Sequence, residues 1–215
     1  MIKRLIFDVD NTLIKWQDKY VDAIKETVLE YGINIDYKKF DDLVLTYEKN
    51  YDYYSKELML EHFNKNLNLK LGIDFINSWL TKLSAMSDID DDTLYIIKLL
   101  SSDYDLVILS NWFKDNQKKR LEHVKLDKYF NDFYGGEKGI KPNISAFNYA
   151  KGKYLPSECI MIGDDYVNDG IGAVNAGMNA IILNSKVKDN NNIIYIDSIK
   201  DVPDAVLKIN NKTTL

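Results

Sequence analysis

The sequence holds one cysteine in 215 residues, Cys159, so no internal disulfide can form. That cysteine opens an apolar run where a small buried residue fits, and its expected role is structural. No window of about 18 apolar residues exists, which argues against a membrane-spanning helix. Lys3-Arg4 precede only three apolar residues before Asp8, too few for a signal-peptide core, so a cytoplasmic location is expected. Positive charge is in deficit too: 28 Lys and Arg face 33 acids, for a net charge of −5. The run Lys118-Lys119-Arg120 is too short to offset this and lies in an amphipathic stretch. A nucleic-acid partner needing a broad cationic face is thereby disfavoured. No repeat is present, and the only biased stretches are a polar loop at 186–192 and a tail at 210–215 expected to fray.

What is present has two textures. The chain is 46% hydrophobic, enough for one sizeable core and a smaller accessory unit. Residues 2–8, 106–109, 159–162, 180–183 and 193–196 are short apolar runs rich in β-branched residues, as parallel strands covered on both faces require. Helical patterns fall between them at 92–101, 116–125, 144–153, 167–176 and 198–209. This alternation predicts an open α/β sheet. Residues 15–90 contain no β-run. Val21, Ile24, Val28 and Tyr31 recur at helical spacing and stop at Gly32. Phe40, Leu43, Val44 and Tyr47 predict a second helix, Leu58, Phe63 and Leu67 a third, and Ile73, Ile76, Leu80 and Leu83 a fourth. The expected organisation is a core from 1–14 and 91–215, interrupted by a helical unit at 15–90.

Asp8 and Asp10 stand one residue apart at the end of the first apolar run. At ~4 Å and an effective dielectric of ~20, two such charges repel by roughly 4 kcal/mol. A chain that keeps them together usually supplies a cation or holds one protonated, so the pair is a candidate metal-and-nucleophile site. Ligands of an open α/β sheet bind beyond the carboxyl ends of its strands. Three further polar groups fall at that edge: Ser110-Asn111, Lys141 ahead of Pro142, and Asp164-Asp165 with Asp169 a helical turn later. Singly, each has a plain alternative. Ser110 or Asn111 could cap a helix, Lys141 could be a solvated lysine, and Asp164 and Asp165 could be turn or capping residues. Four clusters on one edge of one sheet are a different matter.

In these residues the chain resembles the haloacid dehalogenase superfamily, and within it the phosphatases with a helical cap after the first motif. Asp8-Val9-Asp10-Asn11-Thr12 matches the family's Asp-x-Asp-x-Thr, with Asn11 where Gly is frequent. Ser110, Lys141-Pro142, and Gly163-Asp164 through Asp169 match its other three motifs in order. The resemblance implies an α/β fold, a Rossmann-like open parallel sheet with a helical-bundle cap inserted after the first strand. It also implies a covalent aspartyl-phosphate route, which splits a very slow hydrolysis into two steps. Asp8 would be the nucleophile and Asp10 the acid and base. Mg²⁺ would sit on Asp8, the Asp10 backbone carbonyl and Asp164. Ser110, Asn111 and Lys141 would grip the phosphate, while Asp165 and Asp169 would orient Lys141 and metal-bound water.

The expected activity is Mg²⁺-dependent hydrolysis of a small phosphorylated metabolite, such as a nucleoside monophosphate or a sugar or polyol phosphate. Asp10 argues against dehalogenation, since the resemblance implies that dehalogenases lack it. A phosphomutase of the β-phosphoglucomutase type keeps all four motifs and remains an alternative. Phosphonatase chemistry would need a cap lysine forming a Schiff base, and none is marked out. A non-catalytic phosphate-sensing or scaffolding protein would usually have lost a catalytic group, and none is missing. In the cap, residues 50–54 are rich in tyrosine; packing accounts for them, with substrate stacking by cap aromatics, Trp16 or Trp112 as the functional alternative. His62 and His123 are expected to be structural.

Overall fold

Leu5 and Phe7 alternate with Ile6 along the first strand, and the alternation assigns them to opposite faces of a sheet. The computed structural model describes residues 1–15, 19–190 and 192–212. It contains a six-stranded, all-parallel sheet in the order β3-β2-β1-β4-β5-β6. The strands are β1 (Arg4–Phe7), β2 (Asp105–Leu109), β3 (Asp132–Tyr134), β4 (Cys159–Gly163), β5 (Asn179–Leu183) and β6 (Ile193–Ile196). Five of these coincide with the apolar runs. β3 was hidden because it is three residues long and begins on an exposed aspartate. Central β1 is buried throughout and pairs Phe7 with Ile108 on one side and Ile162 on the other.

Helices cover both faces. Leu5 and Phe7 pack with Ile96 and Ile97 of α5 (Asp91–Leu100) and with Val202, Val206 and Ile209 of α9 (Val202–Lys212). Ile6 packs with Ala146, Phe147 and Ala150 of α7 (Ile144–Ala150). The helical pattern at 167–176 resolves into a π-type turn, Tyr166–Ile171, followed by the single turn α8 (Gly172–Asn175). Cys159 is fully buried, and burial pushes its thiol up to about 11, in keeping with a structural role.

Between β1 and α5 the described residues form four α-helices: α1 (Lys19–Tyr31), α2 (Tyr37–Leu45), α3 (Lys56–Leu67) and α4 (Ile73–Ala85). Gly32 ends α1 at φ 60°, a left-handed position that favours glycine. Asp36 and Ser55 cap the starts of α2 and α3 by accepting from Lys39 N and Leu58 N. Phe40, Phe63 and Trp79 form their own apolar centre, which continues onto Trp112, Phe113 and Ile140 beside the sheet. One seam fixes the two parts. Buried Asn116 of α6 (Lys114–His123) donates to Leu80 O at 2.7 Å and Ser84 Oγ at 2.8 Å on α4. His62 is packed edge-on against Tyr47 and Tyr51, and burial lowers its pKa.

Candidate active site

All four motif clusters meet in one cavity of about 370 Å³ at the carboxyl edge of β1, β2 and β4. Its lining includes Asp8, Asp10, Ser110, Asn111, Lys141 and Asp164. The chain leaves β1 through a tight turn in which Val9 O accepts from Leu13 N and Ile14 N, both at 2.9 Å. That turn keeps Asp10 beside the strand end instead of carrying it away. Asn11 takes φ 59° there, a conformation that Asn and Gly tolerate and most residues do not, which accounts for Asn where Gly is frequent.

Lys141 is 3% exposed and is the hub. Its Nζ donates to Asp8 Oδ1 and to Asp169 Oδ1, each at 2.6 Å. Burial alone would lower its pKa, but the Asp169 and Asp8 carboxylates overcome this and hold it raised. Asp8 sits at the end of β1, and burial pushes its carboxyl well above the ordinary carboxylate range against the pull of Lys141. Asp164 is raised to about 6, chiefly by burial and then by the charge of Asp169. The two oxygens of Asp169 are engaged differently, Oδ1 by Lys141 and Oδ2 by the Asp165 backbone N–H at 3.1 Å. Asp165 is exposed, and its carboxylate caps the following turn by accepting from Val167 N and Asn168 N at 2.8 Å.

Asp8, Asp164 and Asp169 each place a carboxylate oxygen within 4.8 Å of the others. The side chain of Asp10 is outside that trio. It is held instead by Arg120 Nη1, donating to Oδ1 at 2.6 Å, and by Gln117 Nε2, donating to Oδ2 at 2.8 Å. Three carboxylates, two of them raised by burial, share one ammonium among the described residues that line the cavity. An all-oxygen donor set with excess negative charge fits a hard divalent cation such as Mg²⁺, with Asp8 and Asp164 as the ligands nearest to hand.

Several residues of the site carried no separate signal in the sequence. Gln117 Nε2 also donates to Ser110 Oγ at 2.8 Å, so one buried amide spans Ser110 and Asp10. Arg120, read as part of a short basic run, is 1% exposed and points inward. The Asn111 carboxamide pins the Lys141 backbone, accepting from its N at 2.7 Å and donating to its O at 2.9 Å. It also donates to Glu48 Oε2 at 3.2 Å, a residue of the helical insertion. Within 50–54, Tyr54 reaches the cavity and donates from its Oη to Glu48 Oε1 at 3.0 Å, while Tyr51 stacks on Tyr47. Trp112 lines the cavity as well, oriented by its Nε1 donating to Asn116 Oδ1 at 2.6 Å. Trp16 lies outside the described residues.

The family model for haloacid dehalogenase-like hydrolases matches residues 5–183. The chain is 26% identical over 200 residues to glyceraldehyde 3-phosphate phosphatase of Methanothermobacter thermautotrophicus, covering 88% of each chain. It is 27% identical over 202 residues to pyrimidine 5′-nucleotidase YjjG of Escherichia coli, covering 84% of this chain and 85% of the relative. Among solved structures, a HAD-hydrolase, YfnB of Bacillus subtilis, bound to magnesium, superposes with a TM-score of 0.72 at 20% identity. That match spans 97% of this chain and 99% of the other. Among the described residues, no helix is long and apolar enough to cross a membrane.

Proposed function

Because the chain belongs to the haloacid dehalogenase-like hydrolases, and is a hydrolase acting on phosphate esters, we propose that it is a Mg²⁺-dependent phosphatase of small phosphomonoesters working through phosphorylated Asp8. The observation that carries the reading is the junction at Lys141. One buried ammonium binds Asp8 and Asp169 at 2.6 Å, with Asp10, Ser110 and Asp164 around the same cavity. A catalytic cation supported by two carboxylates is preorganised for a phosphate, with no side-chain search left to make.

An oxygen of Asp8 attacks phosphorus as the bond from phosphorus to the leaving oxygen breaks, and Asp10 gives that oxygen its proton. Water then attacks the phosphorylated Asp8, the Asp8–phosphorus link breaks, and Asp10 takes the proton of the water. Arg120 and Gln117 aim the Asp10 carboxylate throughout. Ser110 and Lys141 hold the phosphoryl oxygens. Asn111, expected to grip the phosphate with them, has its carboxamide on the Lys141 backbone and Glu48 and fixes the Lys141 loop instead. Mg²⁺, held by Asp8, the Asp10 backbone carbonyl and Asp164, would supply charge neutralisation for those oxygens. Asp169 and the Asp165 backbone set the position of Lys141. Residues 15–90 act as the cap that closes the cavity against water, and the enzyme acts in the cytoplasm.

The relatives named for glyceraldehyde 3-phosphate and pyrimidine nucleotides support small phosphomonoesters as the substrate class. The test is Mg²⁺-dependent phosphate release from p-nitrophenyl phosphate, followed by a panel of phosphorylated metabolites. Water should capture the phosphoenzyme. Transfer to a sugar hydroxyl instead would identify a mutase, and no release from any ester would sink the reading.

A further inference from the structure

Glu48 is the carboxylate that the phosphate chemistry does not use. It sits in the short 3-10 turn Tyr47–Lys49 after α2 and faces the same cavity as Asp8 and Lys141. Two donors hold it, Tyr54 Oη at 3.0 Å and Asn111 Nδ2 at 3.2 Å. Burial raises the Glu48 carboxyl, and the Tyr54 and Asn111 hydrogen bonds work against that rise by favouring its charged form. An ionised carboxylate has about four lone-pair sites, so acceptor capacity remains beyond these two donors. Val44, Leu45 and Trp112 provide the apolar wall beside it. At about 370 Å³, the cavity is near the small end of the ~300–1,000 Å³ typical of small-molecule sites.

Charge sharpens the picture. Among the described residues lining the cavity, the acids are Asp8, Asp10, Glu48, Asp164, Asp165 and Asp169, and the cation is Lys141. Lys141 is engaged by Asp8 and Asp169 at the phosphate end. No lining cation is placed to receive a second anionic group next to Glu48.

Resting on the phosphatase reading, we propose that Glu48 sets substrate choice: it accepts a hydrogen bond from a hydroxyl of the leaving group and repels leaving groups that carry their own negative charge. The preferred substrate class is then a short phosphomonoester whose leaving group is polyhydroxylated and carries no charge of its own. Phospho-acids and bisphosphates are disfavoured by the same residue. Asn111 makes the selection cooperative with phosphate binding, since its amide touches both Glu48 and the Lys141 backbone.

Glycerol 3-phosphate and 3-phosphoglycerate make a matched pair, with one three-carbon frame ending in a hydroxymethyl or a carboxylate. With the full chain and Mg²⁺, kcat/KM should favour glycerol 3-phosphate by roughly 100-fold, since like-charge juxtaposition is strongly unfavourable. Glu48→Gln should shrink that ratio by at least about tenfold, through a higher KM for glycerol 3-phosphate and a lower one for 3-phosphoglycerate. An independent arm needs no variant: as an inhibitor of p-nitrophenyl phosphate hydrolysis by the wild type, glycerol 3-phosphate should bind at least about tenfold more tightly than 3-phosphoglycerate. Equal inhibition, or a ratio unchanged in a folded Glu48→Gln protein, overturns the role of Glu48 and leaves the phosphatase reading standing. Absence of p-nitrophenyl phosphate hydrolysis in the wild type overturns both.

Discussion

Arg120 Nη1 lies 2.6 Å from Asp10 Oδ1, with the Arg120 side chain 1% exposed and the Asp10 side chain 28% exposed. A guanidinium so thoroughly removed from water requires partners for its donors. Arg120 has them in Asp10, in Gln117 Oε1 at 2.8 Å, and in Ser87 Oγ at 3.1 Å. Ser87 lies just beyond α4, where the helical insertion returns to the sheet. One side chain therefore joins the proposed proton carrier, the helix after β2 and the exit of the insertion.

Arg120→Met keeps the length of the side chain and its apolar contacts while removing every one of those links. Outer residues that hold a reacting group typically contribute 10–100-fold to activity, and a fall in kcat of about that size is expected, with KM changed much less. Arg120→Lys should recover only part of it, because one ammonium cannot reproduce the fork that reaches Asp10, Gln117 and Ser87 together. Steady-state kinetics well below the melting temperature of each variant is the measurement. Wild-type kcat in folded Arg120→Met would remove Arg120 from the account.

Asp8→Asn should eliminate turnover and leave the fold intact. The asparagine keeps an acceptor oxygen for Lys141 Nζ, which now lies 2.6 Å from Asp8 Oδ1, but cannot attack phosphorus. Burial already opposes the charged form of Asp8, so thermal melting in EDTA should not drop sharply. Turnover near the wild-type rate in this variant would sink the proposed mechanism.

Metal and pH dependence follow from Asp164. Its carboxyl is raised to about 6, mainly by burial, against ~3.9 in an unfolded chain. Between those values the folded metal-free protein holds a proton that the unfolded chain has released. This group's stabilisation is therefore complete below ~3.9 and disappears as pH rises through about 6. In EDTA, Asp164→Asn should flatten that part of the melting-temperature profile. Mg²⁺ acts with the opposite sign, because it binds the ionised carboxylate: its stabilisation should be larger near pH ~7.5 than near pH ~5. Melting scans with EDTA or MgCl₂ at the two pH values check both signs. A Mg²⁺ effect that is equal at both, or absent, would contradict Asp164 as a ligand.

The legibility of these groups divides along a physical line. Asp8, Ser110 with Asn111 next to it, and Asp164 could be placed from sequence because they follow the ends of short apolar strands, and parallel strands send all such ends to one edge. Lys141, which alone could be a solvated lysine, is assigned to the site by the resemblance through its place before Pro142. Gln117 and Arg120 were opaque because α6, expected to be amphipathic, is polar almost throughout, so no apolar stripe marks which face turns inward. Only the face shared by Asn116, Gln117, Arg120 and Leu121 gives it away, and its partners lie 107 and 110 positions distant at Asp10. Glu48 was hidden for another reason. Its value comes from how α2 sits over the sheet edge, a tertiary relation that helical periodicity within 15–90 does not encode. The tyrosine-rich segment after it did hold a cavity residue, Tyr54, among others that only pack.

Gly163 closes the chain of dependence that begins at Lys141. A Cβ built on it would fall 2.1 Å from Asp169 Oδ2 and 2.3 Å from its Cγ. Asp169 has nowhere to go: it is 1% exposed, with Oδ1 on Lys141 and Oδ2 on the Asp165 N–H. Gly163→Ala must then displace Asp169 or bend the end of β4, and either motion pulls Lys141 away from Asp8. Forced overpacking of this kind typically destabilises by about 1–3 kcal/mol, which a denaturant midpoint would register. Activity should fall far more than stability does, by at least about tenfold at temperatures where the variant is fully folded, since the phosphate-holding ammonium loses one of its two anchors. A folded Gly163→Ala enzyme with wild-type kcat and KM would mean that the position of Lys141 does not depend on Asp169.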